Sequence, residues 1–420
     1  MLDPDGGFAV TTGIECSAPL IAGGMRRDEL RLTGHWERYA EDAALISSLG
    51  LRAVRYGIPF HLVARDPGRL DWSWTDRALA ALAEHALTPI ADLLHFGVPD
   101  DLWGVADPRL PERHVAFVEA FVARYPSIRH FTPVNEPLIT ALMSARHGLW
   151  NERRRDEESV VAALANVVRC AVLATEAIRA ARPDAVFLQS DACERWIAGS
   201  TATEAEAELL NEQRFVPFEL TYGREPSEVA LRWLGGNGLT DAALAWFLDH
   251  GSDAGAIVGH DYYAGNEHVL FAPGRSHVRE PLEGYASVAR DYHARLGLPF
   301  FLAETNRESG HAVEWLGAVW NDVLALRAEG LPIRGVCWYS LTDQVDWDTA
   351  LAEANGRVNS LGLVDLDRRL RPVGRAYREL ARSAAAGRFE PLARAGGYRD
   401  PLATPRGAAD VGTTDTREVA

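Results

Sequence analysis

Apolar residues along the chain fall into short, nearly unbroken runs, each followed by a longer stretch in which they recur every three to four positions. The short runs are "GFAVTTGIE", "LRAVRYGI", "TPIADLLH", "IRHFTPVNE", "DAVFLQSD", "AIVGHDYY", "LPFFLAE" and "IRGVCWYSL", eight in all. A strand that is apolar at successive positions, not at alternate ones, suits a parallel sheet covered on both faces.

The longer stretches read as amphipathic helices. "WERYAEDAALISSLG" places Tyr39, Ala43, Ile46 and Leu49 on one stripe and stops at Gly50; "SVVAALANVVRCAVLATEAIRAARPD" repeats Val160, Leu164, Val167, Val168 and Ala171 before Pro183. Eight strand-helix units with short returns predict an α/β fold, a (β/α)8 TIM barrel forming a single domain over residues 1–388. Between the fifth and sixth strands, Glu194 to Gly255, shorter helical patterns broken by Pro217, Pro226 and "GGNG" predict an excursion over the barrel mouth that shapes a cleft. Residues 389–420, rich in Ala, Gly, Thr and Arg without periodicity, read as a disordered tail.

Barrels of this kind carry their chemistry where the strands end and the chain turns outward. The polar residues at those positions are Glu15, Arg55, His95, Asn135 with Glu136, Asp191, Asp261 with Tyr262 and Tyr263, Glu304, and Asp346 with Trp347. Glu136 and Glu304 each directly end a strongly apolar strand, on opposite sides of the ring. Two facing carboxyls, one protonated and one ionised, are what cleavage of a glycosidic bond requires. Asn-Glu-Pro by itself is weak, since it arises by composition in roughly 5% of chains this long. A strand-end glutamate is ordinarily a solvated loop residue; it is the conjunction with Glu304, Arg55 and Tyr263 that makes the pattern specific. "DACER", with Asp191 and Glu194, reads equally as an aglycone wall or a solvated loop.

Composition narrows the partners. With 43 basic and 59 acidic side chains the net charge is −16 and no basic run offsets it, so nucleic acid and anionic membranes are not expected partners. The amino-terminal "MLDPDGGFAV" lacks a basic-then-apolar signal pattern, and the expectation is a soluble cytoplasmic protein. Cys16, Cys170, Cys193 and Cys337 are scattered, with no paired spacing to suggest a disulfide framework or metal motif, so neither a metal nor a cofactor is expected. Of the 12 tryptophans, Trp36, Trp72, Trp74 and Trp246 read as packing, while Trp347, Trp338 and Trp103 are placed to touch a ligand.

Taken together, these residues resemble glycoside hydrolase family 1, the retaining β-glycosidases of the large (β/α)8 clan. "VNEP" resembles the family's acid/base segment and "LAETN" its nucleophile segment; "ADLLHFGVPDDLW" and "WYSLTDQVDW" followed by "SLGLVDLD" are similar to its sugar-binding stretches. The resemblance implies Glu136 as acid/base and Glu304 as nucleophile. It implies Arg55 and Tyr263 as groups that hold the nucleophile, and His95, Asn135 and Trp347 as sugar contacts. Departures fall on glycone recognition: Gly13 stands where the family has Gln, Phe96 and Tyr339 where it has Trp, Asp346 where it has Glu, and Asp261 where it has Asn. The implied activity is exo-acting hydrolysis of a small β-glycoside or oligosaccharide, on a glycone other than plain glucose. An endo-β-glycanase or transglycosidase of the same clan, or an inactive carbohydrate-binding barrel, remains as an alternative.

Overall fold

The computed structural model describes residues 3–392 and turns the eight apolar runs into eight parallel strands of one closed barrel. These are β1 (Ala9–Ile14), β2 (Ala53–Gly57), β3 (Thr88–Asp92), β4 (His130–Thr132), β5 (Val186–Ala192), β6 (Ala256–Asp261), β7 (Phe300–Glu304) and β8 (Ile333–Trp338). Chain neighbours are sheet neighbours all the way round, and β1 closes the ring on β8 with Ala9 opposite Gly335 and Thr12 opposite Trp338. β4 is short because Pro133 has no N–H to donate to the ladder.

Alternation along the strands sorts side chains into two cores. Ile90, Leu188, Ile257, Phe301, Cys337 and Tyr339 fill the barrel interior, while Val54, Ala91, Phe131, Val258, Leu302 and Trp338 face the helices. Each large aliphatic or aromatic side chain so buried contributes about 1.5–3 kcal/mol.

The outer layer contains α1 (His35–Ser48), α2 (Ser73–Glu84), α3 (Leu110–Arg124) and α4 (Glu157–Ala181). α1 stops where Gly50 takes a left-handed conformation at φ +83°. α4 begins at Asp156, whose carboxylate accepts the Ser159 N–H at 2.7 Å, and ends before Pro183. The apolar length of α4 is spent on packing, since 61% of its most apolar stretch is buried inside the fold.

The excursion between β5 and β6 departs from the expected arch over the mouth. It forms α5 (Glu204–Gln213), α6 (Val216–Thr221), α7 (Glu228–Gly236) and α8 (Asp241–His250). α5 lies on a three-stranded sheet of Arg195–Ala198, Glu267–Ala272 and Arg275–Val278, while α6 and α8 pack against α4 as part of the outer layer. Pro217 within α6 falls at its first turn, where a missing N–H costs nothing. The ring is completed by α9 (Tyr285–Leu296), α10 (Ala312–Ala328) and α11 (Pro372–Ala385).

The folded domain extends past the expected boundary at 388. The Phe389 ring packs on Phe8 at 5.3 Å and lies under the Arg327 guanidinium at 3.9 Å, and the Trp320 indole donates to the Glu390 carbonyl at 2.9 Å. The rest of the expected tail, 393–420, lies outside the described residues.

The β1–β8 seam is pinned from outside by one hydroxyl. Tyr377 of α11 is fully buried; its hydroxyl donates to the Thr11 carbonyl at 2.6 Å, lies 3.1 Å from the Val336 carbonyl, and accepts the Trp338 N–H at 3.1 Å. Tyr377→Phe is expected to cost about 1–3 kcal/mol by leaving these groups unpaired. Chemical denaturation checks it, and unchanged stability would mean the seam does not depend on the hydroxyl.

Candidate active site

At the C-terminal mouth of the barrel the strand-end residues converge on Arg55. Its guanidinium is 1% exposed and donates to Glu304 Oε1 at 2.5 Å, to the Ala303 carbonyl at 3.1 Å and to Asn135 Oδ1 at 2.7 Å. Asp92 lies at 3.5 Å and Asp261 at 3.8 Å. The other oxygen of Glu304, Oε2, accepts the Tyr263 hydroxyl at 2.7 Å, so both carboxylate oxygens are clamped by donors from different strands. Burial raises the Tyr263 phenol well above its ordinary pKa, and the Glu304 charge adds to this, so it stays a donor.

Glu136 is treated differently. Its backbone sits in the left-handed region at φ +41°, ψ +65°, uncommon for a residue with a Cβ and worth about 1 kcal/mol of strain. Pro137 opens the short helix Pro137–Ala141, and the free N–H at its start, that of Leu138, is taken by Asp191 Oδ2 at 2.7 Å. Asp191 therefore does the capping that Glu136 would otherwise do, leaving the Glu136 carboxyl free at the mouth. Burial raises the Glu136 carboxyl well above the ordinary carboxylate range, and the negative charges of Asp261, Glu304 and Asp191 raise it further. Burial likewise pushes Asp191 up to about 7, against the N–H donors of Leu138 and Ala192.

Other expected site residues are present but already engaged. His95 Nδ1 lies 2.9 Å from Asp92 Oδ2, and its Nε2 lies 3.2 Å from Asn135 Nδ2. Glu15 accepts the Ser17 N–H at 2.9 Å and the Gln344 side-chain amide at 3.2 Å. Asp346 receives the Arg27 guanidinium on one oxygen and the Arg357 N–H, at 3.0 Å, on the other. Trp347 is half-buried with its ring edge-on to Trp150 at 6.4 Å, and its indole N–H has no partner among the described residues. Glu194 lies at the rim, bound to the Trp196 indole at 3.2 Å with His268 at 3.7 Å.

Two of the departures from the family pattern are coupled. The Tyr339 ring lies so close over Gly13 that a Cβ there would sit 2.1 Å from it. The ring spans from Arg55, 5.2 Å below its face, to His95, stacked at 6.1 Å, and its hydroxyl donates to the Ile14 carbonyl at 3.2 Å. The glycine thus makes room for the tyrosine, and an aromatic face occupies ground where an amide side chain would stand.

Trp338 does not face the site: it is fully buried on the helix side, with its indole bonded to the Leu361 carbonyl at 2.9 Å. Trp103 is 54% exposed. Trp36 and Trp74 stack on each other at 4.5 Å, Trp72 stacks on Phe117, and Trp246 on His250.

Four neighbours of the site were not readable as such: Arg27, Glu29, Asp92 and Gln344. Glu29 is fully buried behind Glu15, accepts the Val345 N–H at 3.1 Å and keeps its second oxygen without a partner among the described residues. Burial, then the charge of Glu15, raises its carboxyl well above the usual range. Glu29 stands among charged residues in "RRDELRL", and nothing there marks it as buried. A surface concavity of about 580 Å³ lined by Glu176, Arg179, Asp249 and His250 sits where α4 and α8 end, at the opposite face of the barrel.

No family model matches the chain. Among curated proteins it is similar to beta-glucosidase 4 of Oryza sativa subsp. japonica, 29% identical over 120 residues, 26% of this chain and 24% of that protein. It is also similar to beta-glucosidase A of Thermotoga maritima, 23% identical over 153 residues, 34% of each chain. In these matches the chain covers between 24% and 34% of the curated relatives' length. A solved family 1 β-glucosidase from Thermotoga maritima superposes with a TM-score of 0.76 at 16% identity, over 93% of this chain and 100% of that one. The same organism's β-glucosidase in complex with deoxynojirimycin gives 0.77. The fold is that of the TIM-barrel β-glucosidases, and the resemblance to glycoside hydrolase family 1 holds in sequence and in architecture.

Asp261 offers a test of the site's electrostatics. It is fully buried, and neither carboxylate oxygen has a hydrogen-bond partner among the described residues. Burial raises its pKa well above the ordinary value, and Glu304 adds to this against the opposing pull of Arg55. The folded chain therefore keeps a proton that the unfolded chain releases near pH 4, about the value for a free Asp. The group's contribution to stability is full below that pH and is lost as pH rises toward the raised value. Asp261→Asn is expected to flatten this loss and to gain about 1–3 kcal/mol at neutral pH. Thermal melts from pH 4 to 8 check this; a variant with the wild-type slope would contradict it.

Proposed function

We propose that the chain is a glycoside hydrolase: a β-glycosidase acting with retention through a covalent glycosyl-enzyme, with Glu304 as nucleophile and Glu136 as acid/base. The observation that carries this reading is the unequal setting of two carboxyls at one barrel mouth. Glu304 is clamped by Arg55 and Tyr263, donors that favour the ionised form. Glu136, raised by burial and by the charges of Asp261, Glu304 and Asp191 against the weaker opposing pull of His95, holds a proton.

In the first half of the reaction Glu304 attacks the anomeric carbon while Glu136 gives its proton to the departing oxygen. Once Glu304 is esterified its negative charge is gone, one cause of the raised Glu136 pKa is removed, and Glu136 is able to take a proton from the incoming water. Asn135, oriented by Arg55 and Ser190, is placed beside the acid to bond a hydroxyl of the sugar next to the anomeric centre.

The mouth itself favours action on a terminal sugar. Glu136 and Glu304 are 8% and 4% exposed, and Ile21, Phe96, Met143, Trp150 and Ala350 form an apolar cluster alongside. On the glycone side, Glu15 and Asp346 spend their oxygens on protein donors and Gly13 has no side chain, so a glycone other than glucose is favoured.

A panel of aryl β-glycosides (glucoside, galactoside, fucoside, mannoside, xyloside, glucuronide) identifies the sugar. On the best of them, Glu304→Gly and Glu136→Ala are expected to lose several orders of magnitude in turnover. Azide is expected to rescue the first with a glycosyl azide of inverted configuration and the second with one of retained configuration. Because the raised Glu136 pKa keeps the acid form, wild-type activity falls on the alkaline side as that proton leaves, and Glu136→Gln is expected to lose this limb. Near wild-type turnover in both glutamate variants would refute the assignment; a folded protein inactive on the whole panel would favour a carbohydrate-binding role.

A further inference from the structure

We infer that Cys16, Asp92 and His95 form a binding site for a zinc-class divalent cation, set into the wall of the barrel mouth between β1 and β3. The Cys16 sulfur, a carboxylate oxygen of Asp92 and an imidazole nitrogen of His95 lie within 4.8 Å of one another, and the three residues are 6%, 2% and 8% exposed. Cys16 comes two residues after β1, Asp92 ends β3 and His95 follows it, so the set is assembled by the barrel and leaves no ligand motif in the sequence.

With an ion bound the donors would be a thiolate, an imidazole and a carboxylate, a mixed sulfur, nitrogen and oxygen set that suits zinc and not magnesium or calcium. Tetrahedral coordination at zinc bond lengths puts neighbouring donors about 3.3–3.8 Å apart. The present spacing, within 4.8 Å, is of that order.

Two further observations point to a ligand. Asp92 Oδ2 is taken by His95, but Asp92 Oδ1 is buried without a partner among the described residues, an acceptor left over in a dry wall. Beside the set lies a cavity of about 10 Å³, bordered by Cys16, His95, His61, Pro59, Gly57 and Gly97. That is room for about one water-sized sphere, enough for a bare cation and too small for a sugar. Gly57 keeps the space beside the thiol open, because a Cβ there would sit 2.3 Å from the Cys16 sulfur.

Cobalt(II) is the probe, because a cobalt-thiolate bond gives an intense near-ultraviolet charge-transfer band. One equivalent of Co²⁺ added to the full chain is expected to produce the band, and Zn²⁺ to abolish it by displacement. Cys16→Ser, or Cys16→Ala should the serine variant not fold by circular dichroism, is expected to lose the band although Cys170, Cys193 and Cys337 remain. Asp92→Asn is expected to weaken Co²⁺ binding by about tenfold or more. A folded wild-type protein without the band at millimolar Co²⁺, a band that survives loss of Cys16, or unchanged affinity in Asp92→Asn would each overturn the site.

Discussion

The arrangement of the barrel mouth depends on one buried cation. Arg55 is 1% exposed, and a guanidinium in that position is intolerable unless its charge and donors are met on every side. They are met by Glu304 from β7, Asn135 from the end of β4, Asp92 from β3, Ser190 from β5 and Asp261 from β6. Only a closed ring delivers strand ends from so many directions to one point. The apolar interior beneath, and the β1–β8 seam that Tyr377 pins from outside, hold that point in place.

Arg55 does not balance the acids around it. Glu304, Asp92, Asp261, Glu136, Asp191 and Glu15 all lie in the same mouth, buried. Burial and nearby negative charge lift Glu136, Asp261, Asp191 and Glu15, while Glu304 has the Arg55 guanidinium on one oxygen and the Tyr263 hydroxyl on the other. The two glutamates thereby sit in unequal settings, Glu304 held by two donors and Glu136 raised by burial and neighbouring charge, and the proposed roles rest on that inequality. The cost is borne as stability, because a buried carboxyl such as Asp261, whose oxygens have no hydrogen-bond partner among the described residues, is held at the fold's expense.

Much of this was legible in the sequence because strand ends are legible. Continuous apolar runs marked all eight strands, and the polar residues ending them include Arg55, Tyr263, Glu136 and Glu304, which the barrel places at one mouth. What escaped were contacts between residues far apart in the chain and on irregular segments. Arg27 meets Asp346 across 319 positions, and nothing in either neighbourhood signals the pairing. Trp338 was legible in principle: strand alternation places Cys337 and Tyr339 inward and hence Trp338 outward, so composition misled where parity would have served. The Gly13 and Tyr339 exchange depends on the space between two neighbouring strands, which only coordinates supply. Phe389 was lost in the tail because a single anchoring ring has no periodicity.

The assignment of Glu304 as nucleophile is tested most directly by trapping it. A 2-deoxy-2-fluoro β-glycoside of the preferred sugar, carrying a good leaving group, slows the second half of a retaining reaction more than the first. Intact-protein mass spectrometry is expected to show one added glycosyl unit, and peptide mapping to place it on Glu304 in "FLAETN". Turnover of the parent glycoside with inversion and no adduct, or an adduct on any other residue, would contradict it.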